Sequence, residues 1–254
     1  MNLILCGCNG RMGRVVTELC AAQSDIAIVA GVDANPEKRG SFPVYTDVRE
    51  FSGEADCLVD FSHPSALAAI LDYCTSKKVP AVLCATGYSP EHLKAVDEAA
   101  KQVPIFRSAN MSLGVNVMIS LVKNAVKLLG DGYDIEIVER HHNQKLDAPS
   151  GTAIMLADAI DEARNAESPR VYERQSVRAK RDPKEVGISS IRGGTIVGVH
   201  EVIFAGHDEV LELQHTAQSR SVFASGAIRA ARYLSGGKAP GLYTMSDLVE
   251  ELLA

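Results

Sequence analysis

Apolar residues recur with two different periods along the first 110 residues of the chain. Segments with apolar positions at helical spacing run through Val16 to Cys20 and over 65–74 and 90–102. Short apolar runs bounded by glycine, proline or polar residues predict buried strands; these lie at 2–6, 26–32, 56–61, 80–85 and 104–106. Because strands alternate with helices, the pattern predicts a parallel sheet with right-handed crossovers.

The pattern changes after residue 112. A helix is predicted over 113–129, then a half-buried strand at 134–138 and a helix at 153–160. Later alternation predicts an antiparallel-leaning sheet with a hairpin turn at Gly206-His207-Asp208; its strands cover 187–191, 195–204 and 209–214. The charged stretch 170–185 is predicted to be an exposed connection, and 235–241 a flexible break between helices at 221–234 and 246–253. The chain therefore divides into an α/β part and a second α+β part.

Glycines follow the first predicted strand in the spacing Gly7-x-x-Gly10-x-x-Gly13, and a helical pattern follows them. The next strand ends at Asp33, twenty residues after Gly13. Glycines let the backbone approach a pyrophosphate, the helix N-terminus attracts it, and the acid accepts hydrogen bonds from ribose hydroxyls. This unit predicts a Rossmann-like, doubly wound dinucleotide-binding sheet, with a variant of the usual glycine spacing.

The stretch from Glu139 to Thr152 concentrates groups that titrate or carry charge, including two adjacent histidines and Lys145. It lies between a predicted strand and a helix opened by Pro149, Ser150 and Gly151. A helix start presents backbone N–H groups and a positive dipole end, which favour an anion. We interpret the stretch as a loop that binds a carboxylate or phosphate and donates a proton to it.

Two other interpretations of this loop remain open at the level of sequence. It can be a polar surface loop before a well-capped helix. A metal site is a weaker alternative, because the adjacent His141 and His142 point to opposite sides of an extended chain. We therefore predict no metal.

Composition limits the classes of partner. The 254 residues carry a formal net charge of −6, with 46% hydrophobic and 23% charged residues, as in ordinary globular proteins. Without a basic stripe, this charge argues against nucleic acid as the main partner. No secretory signal precedes the first strand and no apolar run approaches the length of a membrane span, so we expect a cytoplasmic protein without membrane contact. The six cysteines fit buried free thiols.

The long histidine–lysine stretch closely resembles the signature of the 4-hydroxy-tetrahydrodipicolinate reductases, also called dihydrodipicolinate reductases. Its matching positions run from Glu139 through His141, His142 and Lys145 to the segment 147–152. The glycine turn and the loops at 61–62, 85–87 and 109–116 also match that family's cofactor-lining segments. Two places depart from its usual pattern, with Cys84-Ala85 replacing Gly-Thr, and Met111 replacing an aromatic or aliphatic residue.

The resemblance implies an NAD(P)H-dependent step of lysine and diaminopimelate biosynthesis on a dicarboxylate, by a cytoplasmic homotetramer. It implies a dinucleotide-binding domain at 1–112, joined by 222–254, and a substrate-binding and tetramerisation domain at 113–221. His141 would be a proton donor and acceptor and Lys145 a proton donor, while His142, Gly151 and Thr152 would hold the substrate. The implied cofactor contacts are Gly7, Cys8, Asn9, Gly10, Arg11, Met12, Asp33, Cys84, Ala85, Thr86, Ser108, Ala109, Asn110 and Met111.

The residues around Asp33 predict which dinucleotide is used. Its carboxylate favours NADH, because the 2′-phosphate of NADPH would bring negative charge against it. Ala34 follows it, so no adjacent arginine can clamp the phosphate, whereas Lys38 and Arg39 lie close enough to compensate in part. We predict that both cofactors work, with a modest preference for NADH.

Two other functions are compatible with the same patterns. One is another two-domain NAD(P)-dependent reductase of amino-acid metabolism, acting on a semialdehyde or an imine. The other is a non-catalytic dinucleotide-sensing regulator with the loop as an oligomer contact, which the density of proton donors in the loop disfavours.

Overall fold

A computed structural model describes residues 1–38 and 40–253. Within them the chain forms twelve strands and seven α-helices. The strands are β1 (Asn2–Cys6), β2 (Ala27–Val32), β3 (Val44–Tyr45), β4 (Cys57–Asp60), β5 (Ala81–Leu83), β6 (Pro104–Arg107), β7 (Asp134–His141), β8 (Arg170–Val171), β9 (Val186–Arg192), β10 (Gly198–Ala205), β11 (Val210–Ala217) and β12 (Gly241–Tyr243). The helices are α1 (Arg11–Ala21), α2 (Leu67–Lys77), α3 (Pro90–Ala100), α4 (Leu113–Leu129), α5 (Gly151–Arg164), α6 (Ser221–Ser235) and α7 (Met245–Leu253).

The chain divides into two compact units. The first comprises Met1–Leu113 and the described residues from Ser221 onwards, and the second is Gly114–Arg220. The first unit contains a seven-stranded sheet in the order β12-β6-β5-β4-β1-β2-β3. Every pair of neighbouring strands in it is parallel.

Apolar cores form on both faces of this sheet. Leu3, Leu5 and Val59 pack on the side of α1 and α6. Alternate residues of the same strands, such as Ile4 and Leu58, pack on the side of α2 and α3. Successive strand residues point to opposite faces, so strands buried on both faces must be apolar throughout. This explains the short continuous apolar runs in the sequence.

The second unit contains a five-stranded mixed sheet in the order β11-β10-β7-β9-β8. β10 is antiparallel to β7 and β11, whereas β9 is parallel to β7 and β8. One core contains α4, α5 and the inner face of the sheet, with Met118, Val122, Leu156, Ile137 and Phe204 among its buried residues. The predicted fold class, a Rossmann-like parallel sheet plus an α+β part with a mixed sheet, is confirmed.

Several local predictions were wrong. Glu139 to His141 end strand β7 and do not belong to the loop that follows it. The stretch 170–185 is exposed over 172–180 and 182–184 as predicted, but it begins with the unpredicted strand β8, and its Arg181 pairs with Asp134 and Glu136 of β7. The break at 235–241 leads into β12, which pairs with β6.

One apolar segment is longer than the sequence analysis stated. Leu113–Gly132 is long and apolar enough to cross a membrane by length and composition, with a mean hydropathy of 1.3. A core helix of a globular domain passes the same test, and Met118, Val122 and Val126 of α4 are buried in the core of the second unit.

Candidate active site

The end of strand β7 buries Glu139 and the predicted catalytic residue His141. Its burial alternates, so Ile135, Ile137, Glu139 and His141 share the inner face of the sheet. Glu139 is completely buried and His141 is 8% exposed. A carboxylate so placed must be paired, because its desolvation otherwise opposes folding.

Several donors surround the Glu139 carboxylate. The Arg192 guanidinium donates to both oxygens, with Nη1 2.7 Å from Oε2 and Nη2 2.7 Å from Oε1. His141 Nδ1 lies 2.6 Å from Oε2, and the backbone N–H of Ser150 donates to Oε1 over 3.1 Å. The glutamate therefore joins the histidine at the end of β7 to the start of α5.

Burial and hydrogen bonds shift the pKa values of Glu139 and His141. Burial opposes the charge of Glu139, but hydrogen bonds from Arg192, His141 and Ser190 outweigh it and lower its pKa to about 2. Burial lowers the pKa of His141, and the hydrogen bond with Glu139 only partly offsets this. At neutral pH the glutamate is thus a carboxylate beside a largely neutral imidazole.

A second buried histidine, His200, extends the group. It lies directly opposite Glu139 on the neighbouring strand β10, and its ring meets that of His141 edge to face at 5.1 Å. Its Nε2 lies 2.8 Å from the Ser150 hydroxyl. Burial, with the nearby His141 second, lowers the pKa of His200 to about 4, so the side chain is neutral at physiological pH.

The N-terminus of α5 contacts this group through Ser150. Ser150 is the N-cap, and its hydroxyl accepts a hydrogen bond from the N–H of Ala153 over 3.2 Å. Gly151 and Thr152 are the first two helical residues, and the first turn contains no acidic residue. A methyl group at Gly151 would meet nothing within 4 Å, which indicates open space there. Such a helix start suits a carboxylate ligand.

The loop between β7 and α5 carries the remaining predicted substrate residues. Lys145 is half-buried, and its Nζ lies 2.8 and 2.9 Å from the two oxygens of the exposed Asp147. His142 is half-buried and follows His141 directly. All five predicted catalytic and substrate residues thus lie within twelve positions around the end of β7 and the start of α5.

In the first unit, the glycine turn has the shape that a dinucleotide needs. Gly7 has a φ of +74°, and a Cβ there would lie 2.6 Å from the carbonyl oxygen of Phe61. A Cβ at Gly13 would clash with the carbonyl oxygen of Gly7. Gly10 caps α1 without a side-chain hydrogen bond, and the first turn has no acidic residue. These residues fit a pyrophosphate bound to the N-terminus of α1.

Asp33 follows β2, but it already accepts two backbone hydrogen bonds. Its Oδ2 accepts from the N–H of Asn9 over 3.0 Å and its Oδ1 from the N–H of Asn35 over 3.1 Å. The Asn9 amide also donates to the carbonyls of Asn35 and Glu37. Asp33 therefore fixes the glycine turn against the following loop, while each oxygen keeps a lone pair for a further donor. Arg39 lies outside the described residues.

Two cavities of the first unit lie at the carboxyl ends of its strands, where ligands of open α/β sheets bind. One, of about 580 Å³, is lined by Gly7, Gly10 and Asp33 among others. The other, of about 640 Å³, takes in most of the remaining predicted cofactor contacts; these are Met12, Cys84, Ala85, Thr86, Ser108, Ala109, Asn110 and Met111. Phe61 and Ser62 line both.

Three predicted cofactor residues line neither cavity. The Cys8 side chain lies in the apolar core, so only its backbone can face a cofactor. Asn9 contributes its backbone and amide to the loop contacts with Asp33, Asn35 and Glu37. Arg11 is exposed at the start of α1.

Sequence analysis assigned no role to Glu139, Arg192, His200 or the cavity residues Tyr88 and Arg107. One signal was present for Glu139, because the alternation that begins at Asp134 puts residue 139 on the inner face. Arg192 lies 53 positions after Glu139, so nothing local could connect them. Among residues 1–38 and 40–253, no group of three or more His, Cys, Asp or Glu side chains could hold a metal ion.

Comparison with known proteins is consistent across the whole chain. The family model for the N-terminus of dihydrodipicolinate reductase matches residues 1–111, and that for its C-terminus matches 114–249. The 4-hydroxy-tetrahydrodipicolinate reductase of Caldanaerobacter subterraneus subsp. tengcongensis is 53% identical over 251 residues, covering 99% of both chains. That of Clostridium tetani is 49% identical over 249 residues, covering 98% of this chain and 97% of the relative.

A solved structure shares the fold. The dipicolinate-bound dihydrodipicolinate reductase of Paenisporosarcina sp. TG-14 superimposes with a TM-score of 0.81 at 23% identity, covering 96% of this chain and 97% of that one. The family models and the close relatives confirm the resemblance found in the sequence, and the chain belongs to the dihydrodipicolinate reductase family.

Proposed function

We propose that this chain reduces 4-hydroxy-tetrahydrodipicolinate to tetrahydrodipicolinate with NADH or NADPH, in lysine and diaminopimelate biosynthesis. In the overall reaction the substrate loses water and gains a hydride and a proton. The observation that carries the proposal is the group around β7 and α5, where His141 and Lys145 lie beside a helix start that suits a carboxylate.

The first unit would hold the dinucleotide, which supplies the hydride when bound. The backbone of the glycine turn and the N-terminus of α1 would bind its pyrophosphate. Asp33 would accept from the adenine ribose, and the loops that follow β5 and β6 would line the nicotinamide half of the site.

The second unit would supply the contacts to the dicarboxylate. Gly151 and Thr152 are the first two residues of α5, so they lie at the positive end of the helix dipole. A carboxylate bound there gains from the helix dipole, and His142 lies within the same loop. Fixing one carboxylate orients the ring for attack.

Proton transfer would complete the reduction. A hydride added to the unsaturated ring leaves electron density on the neighbouring carbon and the ring nitrogen, and an acid in reach neutralises it. Lys145 is a cation held by the exposed Asp147, which a substrate carboxylate can replace as a partner. His141, largely neutral in the free protein, can accept a proton and return it.

For the cofactor we propose use of both dinucleotides with a modest preference for NADH. The Asp33 carboxylate disfavours a 2′-phosphate electrostatically, and Lys38 is exposed on the loop that the Asn9 amide holds. We also propose a homotetramer, to which the second unit would contribute exposed apolar strand residues such as Ile191, Val210 and Leu211. Analytical ultracentrifugation measures that state directly.

One assay separates this function from its alternatives. Purified protein is mixed with NADH and freshly prepared substrate, and the absorbance of the reduced nicotinamide is followed. We expect oxidation that requires both protein and substrate. Oxidation with a semialdehyde or a simple imine, but not with this substrate, would indicate a different reductase. Tight NADH binding without any turnover would indicate a sensor.

A further inference from the structure

Strand register brings one carboxylate and three imidazoles together on the second unit's sheet. His200 of β10 is paired with Glu139 of β7 on one side and with His215 of β11 on the other. His141 is two residues beyond Glu139 on the same face of β7. Glu139 is the only acid in this row of four, and none of the proton-transfer steps described above uses it.

The hydrogen bonds of Glu139 determine the tautomer of His141. Arg192 donates twice to the carboxylate and Ser150 N–H donates once, so the glutamate is an ionised acceptor. An ionised carboxylate can only accept, so His141 must carry a hydrogen on Nδ1, 2.6 Å from Oε2. In the neutral ring, Nε2 is then the nitrogen with a free lone pair.

Gly198 of β10 lies beside His141 Nε2. A Cβ added at Gly198 would lie 3.2 Å from that nitrogen. Glycine therefore keeps a side chain away from the nitrogen that would exchange a proton.

We propose that Glu139 is the positioning residue of the active site: it holds His141 as the Nδ1–H tautomer and ties it to Ser150 at the start of α5. Resting on the function proposed above, this arrangement keeps the proton-exchanging Nε2 at a fixed distance from the helix start that binds the substrate carboxylate. Glu139 itself would touch neither substrate nor cofactor, since it is fully buried behind His141 and Arg192.

The charges that face His141 predict how its titration depends on Glu139. The charged groups are Glu139 of β7, Arg192 of β9 and Lys145 of the following loop; His200 of β10 is titratable but neutral at physiological pH. Among these four groups, Glu139 alone raises the pKa of His141. When its charge is removed, desolvation and the remaining cations act alone, and the pKa of His141 falls.

The sharpest test substitutes Glu139→Gln and compares it with Glu201→Gln. Glu201 is a matched control, because it lies on β10, is 9% exposed and pairs with Arg140 over 2.6 Å. In E139Q the single amide oxygen will take the Oε1 position, because both groups that donate there, Arg192 Nη2 and the backbone N–H of Ser150, cannot accept. The amide NH₂ group then faces Nδ1 and favours the other tautomer.

Nitrogen-15 chemical shifts of the imidazole groups report the tautomer of His141 without any substrate. The His141 signals are those that disappear in H141Q. We expect His141 of the wild type and of E201Q to be the Nδ1–H tautomer above its pKa, and E139Q to shift towards Nε2–H. An Nε2–H tautomer in the wild type would overturn the proposal even if E139Q failed to fold. An unchanged tautomer in folded E139Q would overturn it as well.

Kinetics provides the second measurement. A wrong tautomer lowers kcat, and we expect E139Q to lose about 10²-fold or more while KM changes only a few-fold. The histidine limb of its pH profile should move to lower pH, whereas E201Q should keep both the wild-type kcat and that limb. Equal kcat and pH profiles in wild type and E139Q would refute the inference. An inactive wild type with the expected tautomer would refute the proposed function alone.

Discussion

Lys145, the proton donor in the proposed function, forms an ion pair with Asp147. The lysine Nζ contacts both oxygens of an exposed carboxylate two positions away. A surface pair of this kind is worth little, so a substrate carboxylate can displace Asp147 at small cost. The cation is therefore not fixed in a tight structural pair.

This arrangement predicts the effect of Lys145→Ala. Losing a positioned acid should lower kcat by about 10²-fold or more, because proton transfer then depends on solvent. Steady-state kinetics on variants with wild-type circular dichroism measures the effect. Lys123→Ala, which removes a lysine paired with Glu162 in the same unit, is the control and should keep wild-type turnover. Near-normal turnover of K145A would remove Lys145 from the mechanism.

His200 predicts a pH dependence of stability. Its pKa falls to about 4 on folding from an ordinary value of 6.5, so between these values the unfolded chain binds more protons. His200 therefore adds about 3 kcal/mol to the free energy of unfolding above pH 6.5. This contribution is lost as the pH falls towards 4.

Urea unfolding of the wild type and of His200→Asn at several pH values between 4 and 7 tests this. We expect the free energy of unfolding of the variant to fall less steeply over that range. His207→Asn, at a side chain that is 97% exposed in the hairpin turn, should reproduce the wild-type slope. Parallel curves for wild type and H200N would contradict the assignment.

At the residue scale, the sequence predicted candidate site residues that lie close together in the chain, but not the buried residues that contact them. His141, Lys145, Gly151 and Thr152 lie within one contiguous stretch, so their spacing and their resemblance to a family could both be seen. The support of His141 comes from Arg192 and His200, on strands much later in the chain. Such contacts depend on strand register, which no local pattern encodes.

At the element scale, the longer strands and helices were predicted and the shortest strands were not. The strands and helices with several buried apolar residues were predicted, and α4 was predicted with its observed bounds. β3 and β8 are two residues long and β12 is three, too short to show a period. They exist because longer strands offer an edge to pair with, which is a tertiary effect.

The connection between β8 and β9 predicts one stability effect. Arg181 donates to the backbone carbonyls of Ile135 and Glu185 over 2.9 Å each, besides its pairs with Asp134 and Glu136. Arg181→Ala removes these contacts and should lower the free energy of unfolding by about 2 kcal/mol. Urea unfolding measures it, with the exposed Arg178→Ala as the control. Equal stabilities of the two variants would contradict this role.

The close packing of helix α6 in the first unit predicts that a substitution of Gly226 lowers stability. Gly226 lets the helix approach the backbone of Met111 so closely that a Cβ would clash with the Met111 carbonyl oxygen. Gly226→Ala should therefore destabilise the unit by about 2–3 kcal/mol through overpacking, despite the better helix propensity of alanine. Ser225→Ala, at the exposed neighbouring position, is the control in thermal unfolding. A stabilised G226A would show that the helix and the loop separate easily.

At the scale of the whole molecule, we expect the choice of cofactor to depend on the surroundings of Asp33. Removing its carboxylate should shift the ratio of catalytic efficiencies towards NADPH. Because Asp33 also accepts from the N–H groups of Asn9 and Asn35, D33A should weaken binding of both cofactors. The test is therefore the ratio of the catalytic efficiencies with NADPH and NADH, not the affinity for either cofactor. Neutralising Lys38 and Arg39 together should weaken NADPH alone. A wild type that strongly prefers NADPH would show that these two cations outweigh Asp33.

The central claim is that this chain passes a hydride from a nicotinamide to the substrate ring, with His141 and Lys145 managing the proton. The most direct measurement uses NADH that carries deuterium in the transferred position, in ordinary water, with mass spectrometry of the product. We expect the product to contain one deuterium with the wild type, and its rate of formation to fall sharply in the double variant H141Q/K145A. A product without deuterium, or one formed as fast by the double variant, would contradict the account.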